Sequence, residues 1–532
     1  MALLPLPLLL AACAHEPYGA TDARPPTEAS LPLPTGLDSV RNAAAGRHYN
    51  RHGRLYTAVL GRHYRSVWAA SVTAPVLDLA YAAPGGQPLT PLKAGGGYQS
   101  ISLSLQAPDG REFALRTLDK DPRKTLPSWL RRTFLLNAVR DATSATNPYG
   151  ALTVPPLAEA VGIVPTHPRL VYVRPDETGL GELSTRFQGH LALLEEKYNS
   201  FSARPAALAG AQAMLGGENM LQLLYDDPHQ RIDQPAYLRA RLLDVWLGDW
   251  DRHERQWQWA ALADARGRTH FQALPKDRDQ VFFRFDDGLL PWLVSRPFVV
   301  AKLQTFRGRY GSMPGLIKQA RFIDQRGLTA LTRADFQHAA VQLQTQLPDS
   351  LISRALHRLP PAVYALVGPE TARALRERRA TLPAAADKFY LALAHEPVVG
   401  GTAQAEHFVV RRWVDSVRVA VFAPDLGRDS LRFQRTFFAG ETSRITLEGL
   451  GGDDVFQLET PAPAGRAGRI RLVLVGGAGT DRATCTGGAR HVVYYDDDIT
   501  RKPLATLSKA DFWLRPRPLP HHYRPYDRLN NN

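Results

Sequence analysis

Apolar and polar positions alternate from Ile101 to Leu105 and again from Phe113 to Leu118, with Pro108-Asp109-Gly110-Arg111 between them. That period of two predicts a half-buried β-hairpin that ends at Asp119-Lys120-Asp121. A helical period follows, with Leu130, Phe134, Leu135 and Ala138 on one face of a helix expected from about Pro127 to Asp141. Leu170 to Val173 and His190 to Glu196 read as further strands. Beyond about Ser200 the spacing becomes helical. Leu238, Leu242, Val245 and Trp246 share a face of a helix that Asp233 caps and Gly248 stops. Trp257 to Ala260 and Thr269 to Leu274 form the arms of a hairpin around Arg266-Gly267. Helices resume from about Met313 to Glu396, with Thr332-Arg333-Ala334-Asp335 as a helix start. After Val398 short strands return, among them Phe408-Val409-Val410 and Val417 to Phe422.

These textures divide the chain into a β-rich region over 46–199, a helical region over 200–397 and a separate all-β domain over 398–499. A stretch rich in Pro, Ala, Thr and Ser, 14–45, reads as a tether, and 500–532 as a Pro- and Arg-rich tail. At 532 residues, more than one domain is expected, and 44% hydrophobic with 22% charged residues is a globular composition. Gly46-Arg47-His48-Tyr49 recurs as Gly61-Arg62-His63-Tyr64, too short a repeat to define a solenoid, and a surface or capping role is expected for both histidines.

The apolar run Leu3 to Leu10 is far below the roughly 20 residues of a membrane-spanning helix. With Leu10-Ala11-Ala12-Cys13 it resembles the signal peptide and lipobox of bacterial lipoproteins, which implies a leader over 1–13, lipidation of Cys13 and a place in the cell envelope, at the outer membrane or in the periplasm. Only Cys13 and Cys485 are present, so a cysteine-built zinc site is excluded. The net charge of +14 favours an anionic partner: lipid headgroups, a phosphorylated ligand or an acidic polysaccharide. Export argues against nucleic acid.

Two loops carry the chemistry. Asp249-Trp250-Asp251-Arg252-His253-Glu254-Arg255-Gln256 precedes the second hairpin, and Pro275-Lys276-Asp277-Arg278-Asp279-Gln280 follows it. One hairpin between two carboxylate loops is the spacing by which phosphoryl-transfer sites set a proton acceptor beside a metal ligand. A salt-bridged polar loop among Arg252, Arg255, Lys276 and Arg278 is the alternative. Upstream, Gly95-Gly96-Gly97 opens the first hairpin and can serve as a flexible turn or let backbone approach phosphates.

The order of glycine loop, hairpin with a basic residue, helix, strands, then Asp251 and Asp279 around a second hairpin resembles the two-lobed protein-kinase-like fold. It is most similar to atypical branches such as the HipA, CotH and secretory-pathway kinases. From about Gly46 to Gly479 the chain also resembles a Gram-negative envelope family often fused to a BamA/TamA-type outer-membrane barrel, and no barrel strands occur up to Asn532. The fold implied is α+β, a two-lobed kinase-like body with a C-terminal all-β domain. The resemblance implies Asp251 as the residue that orients a hydroxyl and takes its proton, with His253 in the same catalytic loop. Asp277 or Asp279 would hold Mg²⁺, and Gln256 stands where such kinases often carry an Asn metal ligand. ATP phosphates would meet Gly95, Gly96, Gly97 and either Arg116 or Lys120. Arg116 holds the strand position usual for Lys, and Lys120 lies just beyond it. Glu159 and Asp141 are candidate partners for that cation, and Leu194-Glu195-Glu196 resembles an adenine-binding hinge.

In the last domain, Gly451-Gly452-Asp453-Asp454 and Gly476-Gly477-Ala478-Gly479-Thr480-Asp481 are similar to the calcium turns of β-rolls, but two copies are fewer than a roll needs, so tight β-turns are expected rather than Ca²⁺ sites. The sequence thus points to a lipid-anchored envelope protein with an ATP- and Mg²⁺-dependent phosphoryl or nucleotidyl transfer site. Its rivals are a catalytically silent kinase-like scaffold working with an outer-membrane barrel, and an anionic-glycan binding module.

Overall fold

The computed structural model describes residues 22–29, 31–95, 102–199, 205–460, 466–497, 511–513 and 517–518. Cys13, Gly96 and Gly97 therefore lie outside the described residues, and of Gly95 only its place at a strand end is described.

Helices and sheets are mixed along the chain, and the fold is α+β. Five antiparallel strands make the first sheet, in the order Thr90–Gly95, Ser102–Gln106, Glu112–Thr117, Leu191–Lys197, Arg169–Tyr172. Cross-strand pairs Leu103 with Leu115 and Leu105 with Phe113 fill one face, buried with Val171, Phe187 and Leu194. Strand alternation turns Arg116, Leu193 and Glu195 to the opposite face, where all three line a cleft.

Two expectations change here. The single helix expected from Pro127 to Asp141 is a 3₁₀ turn, Ser128–Leu130, followed by a helix over Phe134–Asp141. Thr133 is extended, and its hydroxyl donates to the Leu130 carbonyl at 2.8 Å, taking an acceptor that a continuous helix would use itself. Part of the stretch read as a tether is built into the body. Ser39–Ala43 pairs antiparallel with Val72–Pro75, and Ala43 to Ala45 are buried, because small side chains without periodicity fit a tightly packed corner as well as a linker.

A second sheet, in the order Ala211–Gly216, Trp257–Ala263, Thr269–Pro275, Gln230–Ile232, packs on the helix Gln234–Leu247. Asp233 caps that helix by accepting from the Ala236 N–H at 3.0 Å, and Gly248 ends it in the left-handed conformation. Leu238, Leu242, Val245 and Trp246 belong to one apolar core that reaches from Ala43 to the helix Leu382–Ala394. The helix Arg333–Gln346 begins with the expected box, Thr332 and Asp335 bonding each other's backbone.

After residue 397 the chain coils. Val398–Gly400, Arg444–Gly451, Arg471–Ala478 and Val492–Asp496 stack in parallel as one sheet, and His407–Arg412, Val455–Glu459 and Arg482–Thr486 as the other. Phe408, Phe456, Leu447 and Leu474 fill the space between the two sheets. The two Gly/Asp stretches, expected as separate tight turns, are successive corners of this coil. The Asp454 N–H donates to Asp481 Oδ1 at 2.9 Å across 27 residues, and the Glu406 N–H donates to Asp454 Oδ1 at 2.8 Å across 48. Gly449 and Gly476 lie directly against the Asp454 and Asp481 carboxylates, where a Cβ would collide. Parallel stacking joins residues a full turn apart, and its one local signal was the likeness of these Gly/Asp stretches to β-roll turns, set aside because only two copies occur. The coil is fastened to the helical body by Arg326 with Glu448 at 2.8 Å and by Arg435 to the Thr329 carbonyl at 2.5 Å.

Candidate active-site cleft

The two carboxylate loops are positioned by buried arginines, of which Arg278 also lines the floor of the cleft. Arg252 is fully buried; its Nη1 donates to the Lys276 carbonyl at 2.8 Å and its Nη2 to the Gln256 carbonyl at 3.0 Å, stitching the loops together. The guanidinium lies 4.6 Å from the Trp257 ring centroid and pairs with Asp244 at 3.3 Å. Arg278 reaches the same floor, bonding Asp244 and, at 3.2 Å, Asp249. Beneath them Arg241 joins Asp244 at 2.7 Å and Asp324 at 2.8 Å. Three buried arginines thus face three buried aspartates. Burial dominates at Asp249, whose carboxyl is pushed up against the pull of Arg252 and Arg278.

With the arginines drawn into the floor, Asp277 and Asp279 line a narrow cleft of about 50 Å³. Its other walls are Arg116, Lys120, Asn147 and Glu195. Asp277 has a positive φ of 56°, which a non-glycine residue seldom adopts and Asp tolerates better than most. Lys120 bonds Asp279 Oδ2 directly, while Arg116 Nη1 bonds Glu195 Oε2 at 2.6 Å. Glu195 is therefore the carboxylate partner of that cation. Glu159 instead faces His167, and Asp141 is taken by Arg65. The hinge reading of 194–196 missed this, although alternation in the strand Leu191–Lys197 sets Glu195 on the face of Arg116.

The two cleft aspartates differ. Burial would raise Asp277, but Arg116, Lys120 and Arg252 hold it below the usual range; burial raises Asp279, helped by Asp277 and opposed by Lys120. Lys120 is raised in spite of its burial by Asp279 and Asp277. Asp251 stands within electrostatic reach of both Lys120 and Asp279. It is half-buried and weakly held, with Gln319 Nε2 at 3.5 Å from its Oδ1, so its carboxylate is open to another partner.

Other expected residues lie elsewhere. The His253 ring caps the 3₁₀ turn Glu254–Gln256, its Nδ1 accepting from the Arg255 N–H at 3.2 Å. Gln256 has its carbonyl engaged by Arg252 and by the Lys276 N–H at 3.1 Å, and its side chain is not among the cleft-lining groups. Three supports went unseen in the sequence. Asn147 Oδ1 accepts from the Tyr149 N–H at 3.1 Å, which fixes the amide and leaves Nδ2 buried without a partner. The Gly-Arg-His-Tyr repeat supplies the others: Tyr49 bonds Asp119 Oδ1 at 2.6 Å, beside Lys120, and Tyr64 bonds the Phe282 carbonyl at 2.5 Å, just past Asp279. Both tyrosines are buried, and their recurrence was the only visible signal.

Among the described residues no group of three or more His, Cys, Asp or Glu is arranged to hold a metal ion. A pair of carboxylates still fits Mg²⁺, which keeps waters and takes one or two carboxylates plus substrate phosphates. Asp279 Oδ1 is a buried acceptor with no partner, and a divalent cation would satisfy it.

No known protein family matches the chain, and no curated protein matches it in sequence. Among solved structures it is similar to the Helicobacter pylori proinflammatory kinase CtkA, at 11% identity and a TM-score of 0.31, over 57% of this chain and 96% of that one. It is also similar to the Golgi casein kinase with Mn/ADP bound, at 11% identity and a TM-score of 0.28, over 57% of this chain and 72% of that one. At such scores the likeness is one of coarse shape, and no residue role is taken from it.

Proposed function

We propose that this cleft binds ATP with Mg²⁺ and transfers a phosphoryl or nucleotidyl group to an acceptor hydroxyl. The observation that supports it is convergence: Arg116 and Lys120 from one hairpin meet Asp277 and Asp279 where Asn147 Nδ2 and Asp279 Oδ1 are buried without partners, and Asp251 stands within electrostatic reach of Lys120 and Asp279. A leftover donor and a leftover acceptor each cost about 1–3 kcal/mol unless a ligand satisfies them. The bound nucleotide and cation supply the transferable group and the neutralising charge. Of the chain's own groups, Lys120 and Arg116 attract the phosphates, Asn147 donates to an oxygen, Asp277 and Asp279 hold the cation, and Asp251 orients the acceptor and takes its proton. In the same reading Cys13 is lipidated and the protein works at the envelope beside a barrel partner, a proposal that rests on Leu10 to Cys13 and on the sequence resemblance.

One observation favours the silent scaffold. Lys120 and Asp279 close on each other, and each could be satisfied without ligand. Thermal unfolding of the full chain with Mg²⁺ and ATP separates the two, run beside Asp279→Ala and Asp251→Ala. At 100 times the dissociation constant the nucleotide stabilises by about 2.7 kcal/mol. A Mg²⁺-dependent rise in midpoint that Asp279→Ala diminishes and Asp251→Ala retains is expected. No rise at millimolar ATP would sink the nucleotide site and leave the scaffold.

A further inference from the structure

Directly after the Asp279 loop the chain exposes a run of large apolar side chains. The short helices Leu289–Val294 and Pro297–Val300 present Leu289, Leu290, Trp292, Leu293 and Phe298 to solvent, Phe298 being 86% exposed. The helix Arg54–Leu60 packs beside the first of them, with Gly288 close against the Gly61 backbone, and it adds Leu55 at 81% exposure. Large apolar groups scattered singly are ordinary, but six on two adjoining segments form a patch of the kind that marks an interaction surface.

Its surroundings decide what covers it. Neither 47–66 nor 288–309 contains an acidic residue, whereas they carry Arg51, Arg54, Arg62 and Arg296. Arg54 and Arg62 are exposed, and Arg296 lies 4.3 Å from the Trp292 ring centroid, its stem along the apolar surface. The nearby aspartates are spent: Asp286 pairs with Arg307 at 2.9 Å, and Asp287 with His63 at 2.6 Å. Leucine and aromatic side chains within an arginine border, with no free carboxylate, complement the boundary of an anionic bilayer, where apolar groups enter the acyl edge and cations meet headgroup phosphates.

We propose that the face built from the Arg54–Leu60, Leu289–Val294 and Pro297–Val300 helices docks on an anionic phospholipid surface. It needs neither the nucleotide site nor an acyl chain on Cys13, so the full chain carrying Cys13→Ser is the protein to test. Vesicles of phosphatidylcholine, alone or mixed with phosphatidylglycerol, are sedimented with it and with two further variants in that background: Leu290→Ser/Leu293→Ser/Phe298→Ser, and Arg54→Gln/Arg62→Gln. All five side chains are exposed, and an unchanged melting temperature verifies the fold. The parent is expected to partition onto the anionic vesicles at least about tenfold better than onto phosphatidylcholine, and each variant to lose roughly that factor. Equal partitioning of parent and triple-serine variant overturns the proposal. So does a parent that ignores vesicles and dimerises through the patch, which would make a second copy the occupant.

Discussion

Arg252 stands between Asp251 and His253, yet it has no exposed surface and spends its donors on two carbonyls of the loops it joins. Arg252→Met removes that stitch and leaves Asp244 and Asp249 with less positive charge, so it should cost about 3–5 kcal/mol in urea unfolding. Arg255, three residues on, pairs with Glu218 in an exposed bridge, and Arg255→Ala should stay within about 0.5 kcal/mol. Equal effects would show that the buried network does not hold the loops. The salt-bridged network expected at Arg252 and Arg278 is present, and it leaves Asp277 and Asp279 of the same loop lining the cleft. What a sequence cannot show is which member of each Asp-Arg step turns inward.

At the scale of elements, the helix Gly217–Asp226 begins against the 3₁₀ turn of the candidate catalytic loop. A Cβ on Gly217 would overlap the Glu254 carbonyl, whereas one on Gly216 would meet nothing within 4 Å. Gly217→Ala should therefore destabilise by about 1–3 kcal/mol and weaken any ATP-dependent rise in midpoint, with Gly216→Ala near neutral in the same melts. The elements legible in the sequence are those with local causes. Asp233, Gly248 and Thr332 mark helix ends through bonds to backbone three or four residues away, and the arms Trp257–Ala263 and Thr269–Pro275 pair across a short turn. The illegible ones depend on distant partners. Glu195 meets Arg116 across 79 residues, Tyr64 meets Phe282 across 218, and the coil's corners pair a whole turn apart.

Over the whole molecule, the stacked carboxylates of the coil tie stability to pH. Asp454 is fully buried between Glu406 and Asp481, and burial, with the like charges beside it, pushes its carboxyl up to about 9. A folded-state value above the unfolded 3.8 means the folded protein holds the extra proton, so stability falls as pH rises from about 4 through about 9. Asp454→Asn keeps the acceptor for the Glu406 N–H and cannot ionise. It should raise the melting temperature at pH 8 and lose that advantage toward pH 4; a parent-minus-variant difference that does not vary with pH would refute the linkage.

The same ladder spans 48 residues on one step and 27 on the next, yet its bond lengths are 2.8 and 2.9 Å. The longer step contains the strands Ser416–Phe422 and Leu431–Phe438, which extend the coil's second sheet antiparallel from His407–Arg412 before the chain reaches the next corner. Chain length between corners is thus uncoupled from corner geometry, so residues inserted at the turn Pro424–Asp429 should lengthen that step and leave the stacked corners unchanged.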